Sequence, residues 1–404
     1  MRVCLASMHF APVYSGPALR FQRYAPGLRQ RGIDLSVFSA VTDDSPGAEE
    51  AVPRQEVNID GLPVMRTRIA GPARNGRTLR RFSRSLFWHC YETVRRPELI
   101  HFLSLSQEAA PWMLALRRLS IPLMFTHTML SEQSPNPWKR RLQRLYWPIH
   151  FQTMDCTVVS SSVMRDNLRE IGVRNRIEVI PNGVDLQRFQ PVESPVTKAE
   201  LRLRLGFCPE DEIIVFVGSI SPRKGLDLLM EAWGEIARRR PKARLLLVGP
   251  KHEEIRKKED VRSFKESLDS SLSESGAADR VHYTGPVAEP EVYLRLSDVF
   301  VFPSRREGMP NVVLEAFGCG LPSILTPFLG LPAEFGRPDR EYLLVQRDSR
   351  QLSRAIIAVL SNRELRTQLG GRARAWVQNN LGLDRSLDLY ADLYRDLGSQ
   401  RLQA

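Results

Sequence analysis

The stretch Asp298–Pro322, DVFVFPSRREGMPNVVLEAFGCGLP, predicts a buried strand, then a loop, then a helix. Its first part, Asp298–Phe302, is a short apolar run of strand length that does not alternate with polar residues. Such runs are typical of strands covered on both faces of a parallel sheet. Gly308 and Pro310 exclude regular helix in the loop, whereas Pro310 suits the first turn of a helix running to about Gly318.

Two glutamates in this stretch, Glu307 and Glu315, fall in different elements. Glu307 lies in the loop and Glu315 inside the helix, so the loop can aim Glu307 independently. The free amides near the start of the helix, around Gly308–Val312, point into the same space. A carboxylate beside such amides suits a polyhydroxylated ligand that carries phosphate. The alternative is a solvated helix, which the apolar neighbours of Glu315 disfavour.

Strand-length apolar runs alternate with helix-length amphipathic segments throughout the chain. The predicted strands are Arg2–Ala6, Leu35–Ala40, Leu99–Leu103, Leu123–His127, Cys156–Ser160, Ile177–Ile180, Ile213–Val217, Leu245–Val248, Val281–Tyr283, Val299–Phe302, Ser323–Leu325 and Leu343–Val345. This alternation in both halves predicts two doubly wound α/β domains.

The chain length of 404 residues also suggests about two domains. The stretch PVESPVTKAE, 191–200, has two prolines and no apolar period, so we expect the linker there. The domains would then be 1–190 and 191–383, and a final helix over about 384–398 would follow the last strand. The two domains would face each other across a cleft, with ligands beyond the carboxyl ends of the strands.

The composition is that of a soluble globular protein with a basic first half. Residues 1–190 hold 26 Lys/Arg against 16 Asp/Glu, and such a surface attracts anionic lipid, nucleic acid or phosphate-bearing ligands. Five cysteines without short pairing predict reduced thiols rather than a disulfide or zinc framework. No apolar run reaches spanning length, and the N-terminus lacks a signal-peptide pattern, so we expect a cytosolic protein.

Two glycines follow neighbouring strands in the second half, in VFVGSISPRKGLDLLMEAW (215–233) and LLLVGP (245–250). In the first, a strand ends before Gly218, a helix starts near Gly225, and Arg223 with Lys224 adds positive charge where helix amides meet an anion. Gly249, in the second, permits a tight turn or a close ligand approach. Ordinary turns remain the alternative for both.

Further candidates lie in the first half. Gly16 follows the first strand in a possible phosphate-approach loop, although no G-x-G-x-x-G fingerprint is present. His127 lies at the carboxyl end of a predicted strand, where site residues belong, but a lone histidine is often structural. His101 suits a core or a cleft lining. The Pro-Asn-Gly of EVIPNGVDLQRF, 178–189, indicates only a turn.

Two segments combine basic and aromatic residues, Arg74–Arg96 and Trp138–His150. In the first, Leu79, Phe82 and Leu86 fall on one helical face while arginines lie elsewhere. This composition suits a helix at an anionic membrane surface, and an ordinary basic helix is the alternative. No nucleic-acid module accompanies the charge, so no nucleic-acid partner is expected.

Taken in order, these motifs resemble the retaining glycosyltransferases with the GT-B fold, glycosyltransferase family 4. The matching residues are Ser15-Gly16, PNGVD, VGSISPRKG, LLLVG and the segment with Glu307 and Glu315, whose family form is E-x7-E. The resemblance implies two Rossmann-like domains, a nucleotide-sugar site mainly in the second domain, and a final helix that crosses back onto the first.

The resemblance also implies roles for the candidate residues. Glu315 would accept hydrogen bonds from the ribose of the nucleotide, and Glu307 would contact hydroxyls of the transferred sugar. Lys224 would bind the diphosphate, with help from Gly218 and Arg223. The remaining implied contacts are Gly16 near the diphosphate, His127 near the reacting sugar, and Gly308, Met309, Pro310 and Asn311 around the sugar or phosphate.

Three positions depart from the family pattern. Ser219 stands where an arginine is common, so Arg223 is the candidate replacement. Thr128 follows His127 where aspartate is common, and Ser15 precedes Gly16 where glycine is common. The resemblance implies that no metal is needed to neutralise the phosphate and that no cofactor other than the donor substrate takes part, and the chain consistently lacks a D-x-D triplet.

The resemblance implies retention through front-face attack, with a nucleotide-diphosphate-sugar as donor substrate. The acceptor would be a glycan or a lipid-linked glycan in cell-surface polysaccharide, lipopolysaccharide or glycolipid assembly, at the cytoplasmic membrane face. The alternatives are a nucleotide-sugar epimerase on the same fold and a basic binding protein without activity.

Overall fold

The computed structural model describes residues 1–11, 16–45, 48–50, 52–73, 75–105, 109–130, 136–251, 260–332 and 334–400. The chain divides into two compact units. One comprises Met1–Pro181 and the chain from Asp384 onward, and the other comprises Asn182–Leu383.

The first unit contains one eight-stranded sheet with helices on both faces. Its strands are β1 (Arg2–Ser7), β2 (Asp34–Val41), β3 (Arg54–Ile59), β4 (Leu62–Arg68), β5 (Leu99–Phe102), β6 (Leu123–Thr126), β7 (Cys156–Val159) and β8 (Arg176–Val179). Its helices are α1 (Gly16–Gln30), α2 (Gly76–Glu92), α3 (Ala110–Arg117), α4 (Pro137–Gln152), α5 (Ser162–Glu170) and α13 (Leu383–Gln400). The strand order is β3-β4-β2-β1-β5-β6-β7-β8, and β3 pairs antiparallel while the others run parallel.

The second unit contains one six-stranded parallel sheet. Its strands are β9 (Glu212–Val217), β10 (Ala243–Val248), β11 (Val281–Gly285), β12 (Val299–Phe302), β13 (Ser323–Leu325) and β14 (Leu343–Leu344). Its helices are α6 (Pro195–Arg204), α7 (Leu226–Arg239), α8 (Asp260–Glu274), α9 (Pro290–Leu296), α10 (Asn311–Gly318), α11 (Ser349–Ser361) and α12 (Arg363–Asn380). The order β11-β10-β9-β12-β13-β14 places β9 and β12 side by side at the centre.

These two sheets confirm the predicted pair of doubly wound α/β units, and each predicted apolar run forms a strand. Strands β9 and β12 are almost wholly buried, as their continuous apolar runs indicated. The edge hairpin of β3 and β4 was not among the predicted elements. It turns at Asp60-Gly61, where both residues have positive φ.

The division between the units differs from the predicted one. It falls after Pro181 rather than at residue 190, and the expected linker 191–200 contains the start of α6. Ser194 caps this helix, because its hydroxyl accepts from the Thr197 amide at 3.1 Å, and Pro195 is the first helical residue. Of the two prolines that suggested a linker, Pro195 therefore begins a helix and Pro191 precedes it.

Helix α13 packs on the first sheet through a buried polar contact. The Nδ1 atom of His101 lies 2.8 Å from the Tyr394 hydroxyl oxygen, and its Nε2 atom lies 2.6 Å from Thr126 Oγ1. His101 is fully buried, and burial is the main reason that its pKa lies well below its ordinary value. It is a satisfied core histidine, which was one of its two predicted roles.

The apolar face predicted for α2 is not available to a membrane. Phe82 and Leu86 are completely buried in the core of the first unit, and Leu79 packs against that core. The expectation that these three side chains contact lipid is wrong, because the sheet already covers them. Within the described ranges, no helix combines the length and the apolar character needed to cross a bilayer.

Candidate active site

The loop between β12 and α10 carries Glu307 at the carboxyl end of a central strand. Helix α10 begins at Asn311, one residue later than predicted, because Pro310 has extended backbone angles and forms the cap. The helix ends at Gly318, as predicted. The loop therefore presents Glu307 just before a helix N-terminus.

The Glu307 carboxylate is buried and receives three hydrogen bonds on one oxygen. Its Oε1 atom lies 2.8 Å from Lys224 Nζ, 2.8 Å from Arg223 Nη1 and 2.6 Å from the Ser304 hydroxyl. None of the residues that the structure describes donates to Oε2, so this oxygen can accept from a ligand hydroxyl. Three predicted site residues, Arg223, Lys224 and Glu307, are thus brought together. We call them and Ser304 the cation–carboxylate cluster.

The electrostatics of this cluster favour an ionised carboxylate. Burial alone would raise the pKa of Glu307, but the charges of Lys224 and Arg223 outweigh it and hold that pKa below its ordinary value. Burial is the main reason that the pKa of Lys224 is lowered, and the Glu307 charge offsets part of the effect. One anion between two cations leaves a net positive charge for an incoming phosphate.

Backbone hydrogen bonds fix the loop that carries Glu307. The Glu307 amide donates to the Leu329 carbonyl at 3.0 Å, and the Arg305 amide donates to the Arg223 carbonyl at 2.9 Å. The Arg347 side chain donates to the carbonyls of Pro303 and Ser304 at 2.8 and 2.9 Å. The loop is therefore held from both sides, and its carboxylate has a defined position.

Two glycines permit the close approach of the neighbouring loops. Gly225, the residue before α7, has φ of 69°, and a Cβ atom there would collide with the Pro303 carbonyl. Gly249 follows β10 with φ of 134°, and a Cβ atom there would collide with the carbonyl of Gly218. Gly225 thus lets the Lys224 loop pack against the Glu307 loop, and Gly249 lets the loop after β10 pack against the loop after β9.

The turn Pro181-Asn182-Gly183 contacts the predicted sugar-binding segment. The Asn182 side-chain amide donates to the Met309 carbonyl at 3.2 Å and to Asn311 Oδ1. Asp185 has a local role, because its carboxylate accepts from the amides of Gln187 and Arg188. The sequence indicated only a turn here. A contact across 127 positions leaves no local signal that could have identified Asn182.

The other candidates in the second unit lie on the loop after β9, on the loop before α10 and on α10 itself. Gly218 directly follows β9, and Ser219 lies near Ser221 in the loop that leads to Arg223. Gly308 and Met309 lie between Glu307 and α10. Glu315 is partly buried on α10 between apolar residues that pack into the core. Its charge is the second cause, after burial, of the raised pKa of Cys319.

Two candidates belong to the first unit. Gly16 is the first residue of α1, and a Cβ atom there would meet nothing within 4 Å. His127 follows β6, and its ring lies edge-on to Phe151 with 5.5 Å between ring centroids. Burial, followed by the charge of His150, lowers the pKa of His127 to about 4, so the ring is neutral at pH 7. The donor contacts predicted for Gly16 and His127 stay predictions.

A metal has no obvious ligand set in the part of the chain that the structure describes. No three His, Cys, Asp or Glu side chains there are grouped so as to hold an ion. Lys224 and Arg223 supply positive charge to a phosphate in this site.

Two family models match the chain. Residues 15–183 match the glycosyl transferase 4-like domain, and residues 211–362 match the glycosyl transferases group 1. Together the two matches span most of the sequence and correspond to the two structural units.

Relatives and solved structures agree with this assignment. The D-inositol 3-phosphate glycosyltransferase of Segniliparus rotundus is 28% identical over 82% of this chain and 75% of its own length. The Mycobacterium tuberculosis GDP-mannose-dependent alpha-(1-6)-phosphatidylinositol monomannoside mannosyltransferase is 31% identical over 59% of this chain and 61% of its own length.

A sucrose-phosphate synthase from Thermosynechococcus elongatus superposes with a TM-score of 0.79 at 23% identity, covering 99% of both chains. This likeness shows the fold. The chain belongs to the group 1 glycosyl transferases, glycosyltransferase family 4, and has their GT-B fold.

Proposed function

We propose that the chain transfers a sugar, with retention, from a nucleotide-diphosphate-sugar to an acceptor hydroxyl. The observation that carries the proposal is the buried Glu307 carboxylate between Lys224 and Arg223, beside a helix N-terminus. In the absence of donor, Glu307 neutralises part of the charge of the two cations. A donor diphosphate would take over that charge, and Glu307 Oε2 would accept from a sugar hydroxyl.

The proposed chemistry follows from charge development in the leaving group. The acceptor oxygen bonds to the anomeric carbon on the face from which the diphosphate departs, and the departing phosphate takes the acceptor proton. Negative charge grows on that phosphate in the transition state, where Lys224 and Arg223 stabilise it more than in the ground state. Arg223 would replace the arginine that is common at position 219. This scheme requires no metal.

The remaining donor contacts are proposed on the same basis. Glu315 would accept from the ribose hydroxyls, and the segment from Gly308 to Asn311 would contact the sugar or the diphosphate. The Asn182 hydrogen bonds to Met309 and Asn311 support this role, because they hold the segment in one conformation.

For the acceptor, we propose a glycan or glycolipid at the cytoplasmic face of a membrane. The Mycobacterium tuberculosis relative supports this class, because it acts on a phosphatidylinositol mannoside, which is a glycolipid, whereas the Segniliparus rotundus relative acts on an inositol phosphate. A role in cell-surface polysaccharide, lipopolysaccharide or glycolipid assembly would follow.

The experiment is a donor panel, including GDP-mannose and UDP-glucose, incubated with the purified chain in the presence of EDTA, with and without a phosphatidylinositol mannoside as acceptor. We expect release of the nucleoside diphosphate with at least one donor, and an α-linked product from an α-linked donor by NMR. Inversion at the anomeric carbon would overturn the proposed stereochemistry. An isomerised nucleotide-sugar without acceptor would identify an epimerase instead, and inertness toward every donor would indicate a binding protein.

A further inference from the structure

Helix α4 leaves a continuous apolar stripe exposed on the first unit. The stripe consists of Trp138, Leu142, Leu145, Tyr146 and Ile149. Trp138 is 74% exposed and Leu145 is 64% exposed, and the other three side chains are all at least 44% exposed. At 3.6 residues per turn these five positions fall within about 100° of arc. An exposed face of this size on a globular protein marks a contact surface.

The exposed stripe is not the side of α4 that packs into the protein core. The same helix contributes Phe151 and Pro148 to buried positions, so α4 is packed on the sheet and still carries a second apolar side. Helix α2 shows the ordinary arrangement, since its Phe82 and Leu86 are buried. Helix α4 therefore has two apolar sides, and the rest of the protein buries only one of them.

The charge on α4 itself is of one sign. Residues 137–152 contain four Lys/Arg and no Asp or Glu, and Arg140 and Arg141 are exposed. The neighbouring helices add to the same layer. The buried side chains of α2, α3 and α4 belong to one hydrophobic cluster. Right-handed crossover connections place these three helices on the same face of the sheet.

The outward side of this helix layer repeats the pattern of α4. Helix α2 exposes Trp88 and Tyr91 there, and helix α3 exposes Leu114. Arginines 77, 80, 81 and 84 on α2 are exposed as well. Most of the exposed large apolar side chains in the described residues belong to this layer and the few residues after α2.

We propose that α4 lies in the interface of an anionic lipid bilayer, with Trp138, Leu142, Leu145, Tyr146 and Ile149 inserted between the headgroups. Aromatic and leucine side chains on one side, arginines at the flanks and no acidic residue are the pattern of an in-plane membrane helix. Charge complementarity selects lipid with anionic headgroups over neutral lipid. A protein partner or a second copy would need acidic groups facing the same arginines.

This inference rests on the membrane part of the proposed function and assigns it to α4 rather than to the predicted face of α2. It does not depend on the transfer chemistry. The location of docking and the turnover of donor are measured separately, so failure of one leaves the other intact.

The experiment is flotation of the full chain with phosphatidylcholine vesicles, with and without phosphatidylglycerol. We expect flotation only with the anionic vesicles, weakening as salt is raised. The double variant Leu142→Ser/Leu145→Ser should float at least tenfold less, because each leucine contributes about tenfold in partitioning. Leu203→Ser/Leu205→Ser, at the C-terminal end of α6, removes two exposed leucines from the second unit and should float like the wild type.

The inference is overturned if the α4 variant floats like the wild type, or if flotation ignores lipid charge. It is also overturned if light scattering shows a dimer that the α4 variant abolishes, since a second copy would then cover the stripe. Donor hydrolysis in detergent-free buffer should be the same for the wild type and the α4 variant. Flotation without donor turnover would leave docking in place and contradict only the proposed reaction.

Discussion

Glu307 and Lys224 form a buried ion pair, with 2.8 Å between Oε1 and Nζ, although 83 positions separate them in the sequence. Arg223 reaches the same carboxylate oxygen at 2.8 Å. The carboxylate that we propose for the sugar therefore also organises the cations that we propose for the diphosphate. Removing Glu307 leaves the buried Lys224 without its carboxylate, and removing Lys224 leaves the buried Glu307 with only the partly exposed Arg223 as a cation.

A double-mutant cycle should reveal this coupling in stability. We expect Lys224→Met and Glu307→Gln each to lower the free energy of unfolding by about 3 kcal/mol, and the double variant to lose less than their sum. Urea unfolding measures all three. Arg54→Met is the control, because its ion pair with Glu92 is exposed and should contribute less than about 1 kcal/mol. Additive losses would show that the pair is not coupled.

Gly225 should not tolerate a side chain. Its φ of 69° and the adjacent Pro303 carbonyl both oppose a Cβ atom, so we expect Gly225→Ala to destabilise the second unit by more than about 2 kcal/mol. Gly276→Ala is the matched control. Its φ is 62° but no atom lies within 4 Å of the added Cβ, so it should lose only about 1 kcal/mol. Equal losses would remove the collision as the cause.

Asn182 should act as a positioning residue for the segment before α10. Asn182→Ala removes the hydrogen bonds to Met309 and Asn311, so we expect kcat/KM for the donor to fall about tenfold. The free energy of unfolding should fall by only about 1 kcal/mol. Asp185→Asn, which keeps a local acceptor for the Gln187 and Arg188 amides, should leave donor kinetics unchanged. Unaltered kinetics in Asn182→Ala would limit Asn182 to a structural turn.

His127 should make the first unit less stable in acid. Its pKa is about 4 in the fold against about 6.5 in the unfolded chain, so between these values only the unfolded chain binds the proton. Stability is full above about pH 6.5 and falls as the pH drops toward 4. We expect the loss between pH 7 and pH 5 to be about 1–2 kcal/mol smaller in His127→Gln than in the wild type. Histidines that do not interact with His127 contribute equally to both proteins. Identical losses would show that His127 is not shielded.

The sequence predicted the sheets well because their strands are buried on both faces. In a chain where strand-length and helix-length segments alternate, a short continuous apolar run such as Val299–Phe302 indicates a strand buried on both faces. The hairpin of β3 and β4 was missed because β3 is an exposed edge strand with polar residues, although Asp60-Gly61 is a strong hairpin signal. The linker at 191–200 was misplaced because prolines also begin helices, as Pro195 does after its Ser194 cap.

The site was predicted only in part, because its contacts are long-range. The glutamate, the lysine and the arginine could be named from local patterns. One oxygen of Glu307 contacts Lys224, Arg223 and Ser304. These contacts form because β9 and β12 are neighbours in the sheet, and no local sequence pattern encodes that pairing. For the same reason, helical periodicity alone could not distinguish α2, whose apolar face is buried, from α4, whose stripe is exposed.

The central claim is that Glu307, held by Lys224 and Arg223, is required to turn over a nucleotide-diphosphate-sugar. The direct measurement is the rate of nucleoside diphosphate release from the donor panel by the wild type and by Glu307→Gln, with folding of the variant checked by circular dichroism. We predict release by the wild type with at least one donor and a loss of roughly a hundredfold or more in the folded variant. Release at the wild-type rate by folded Glu307→Gln would contradict the account.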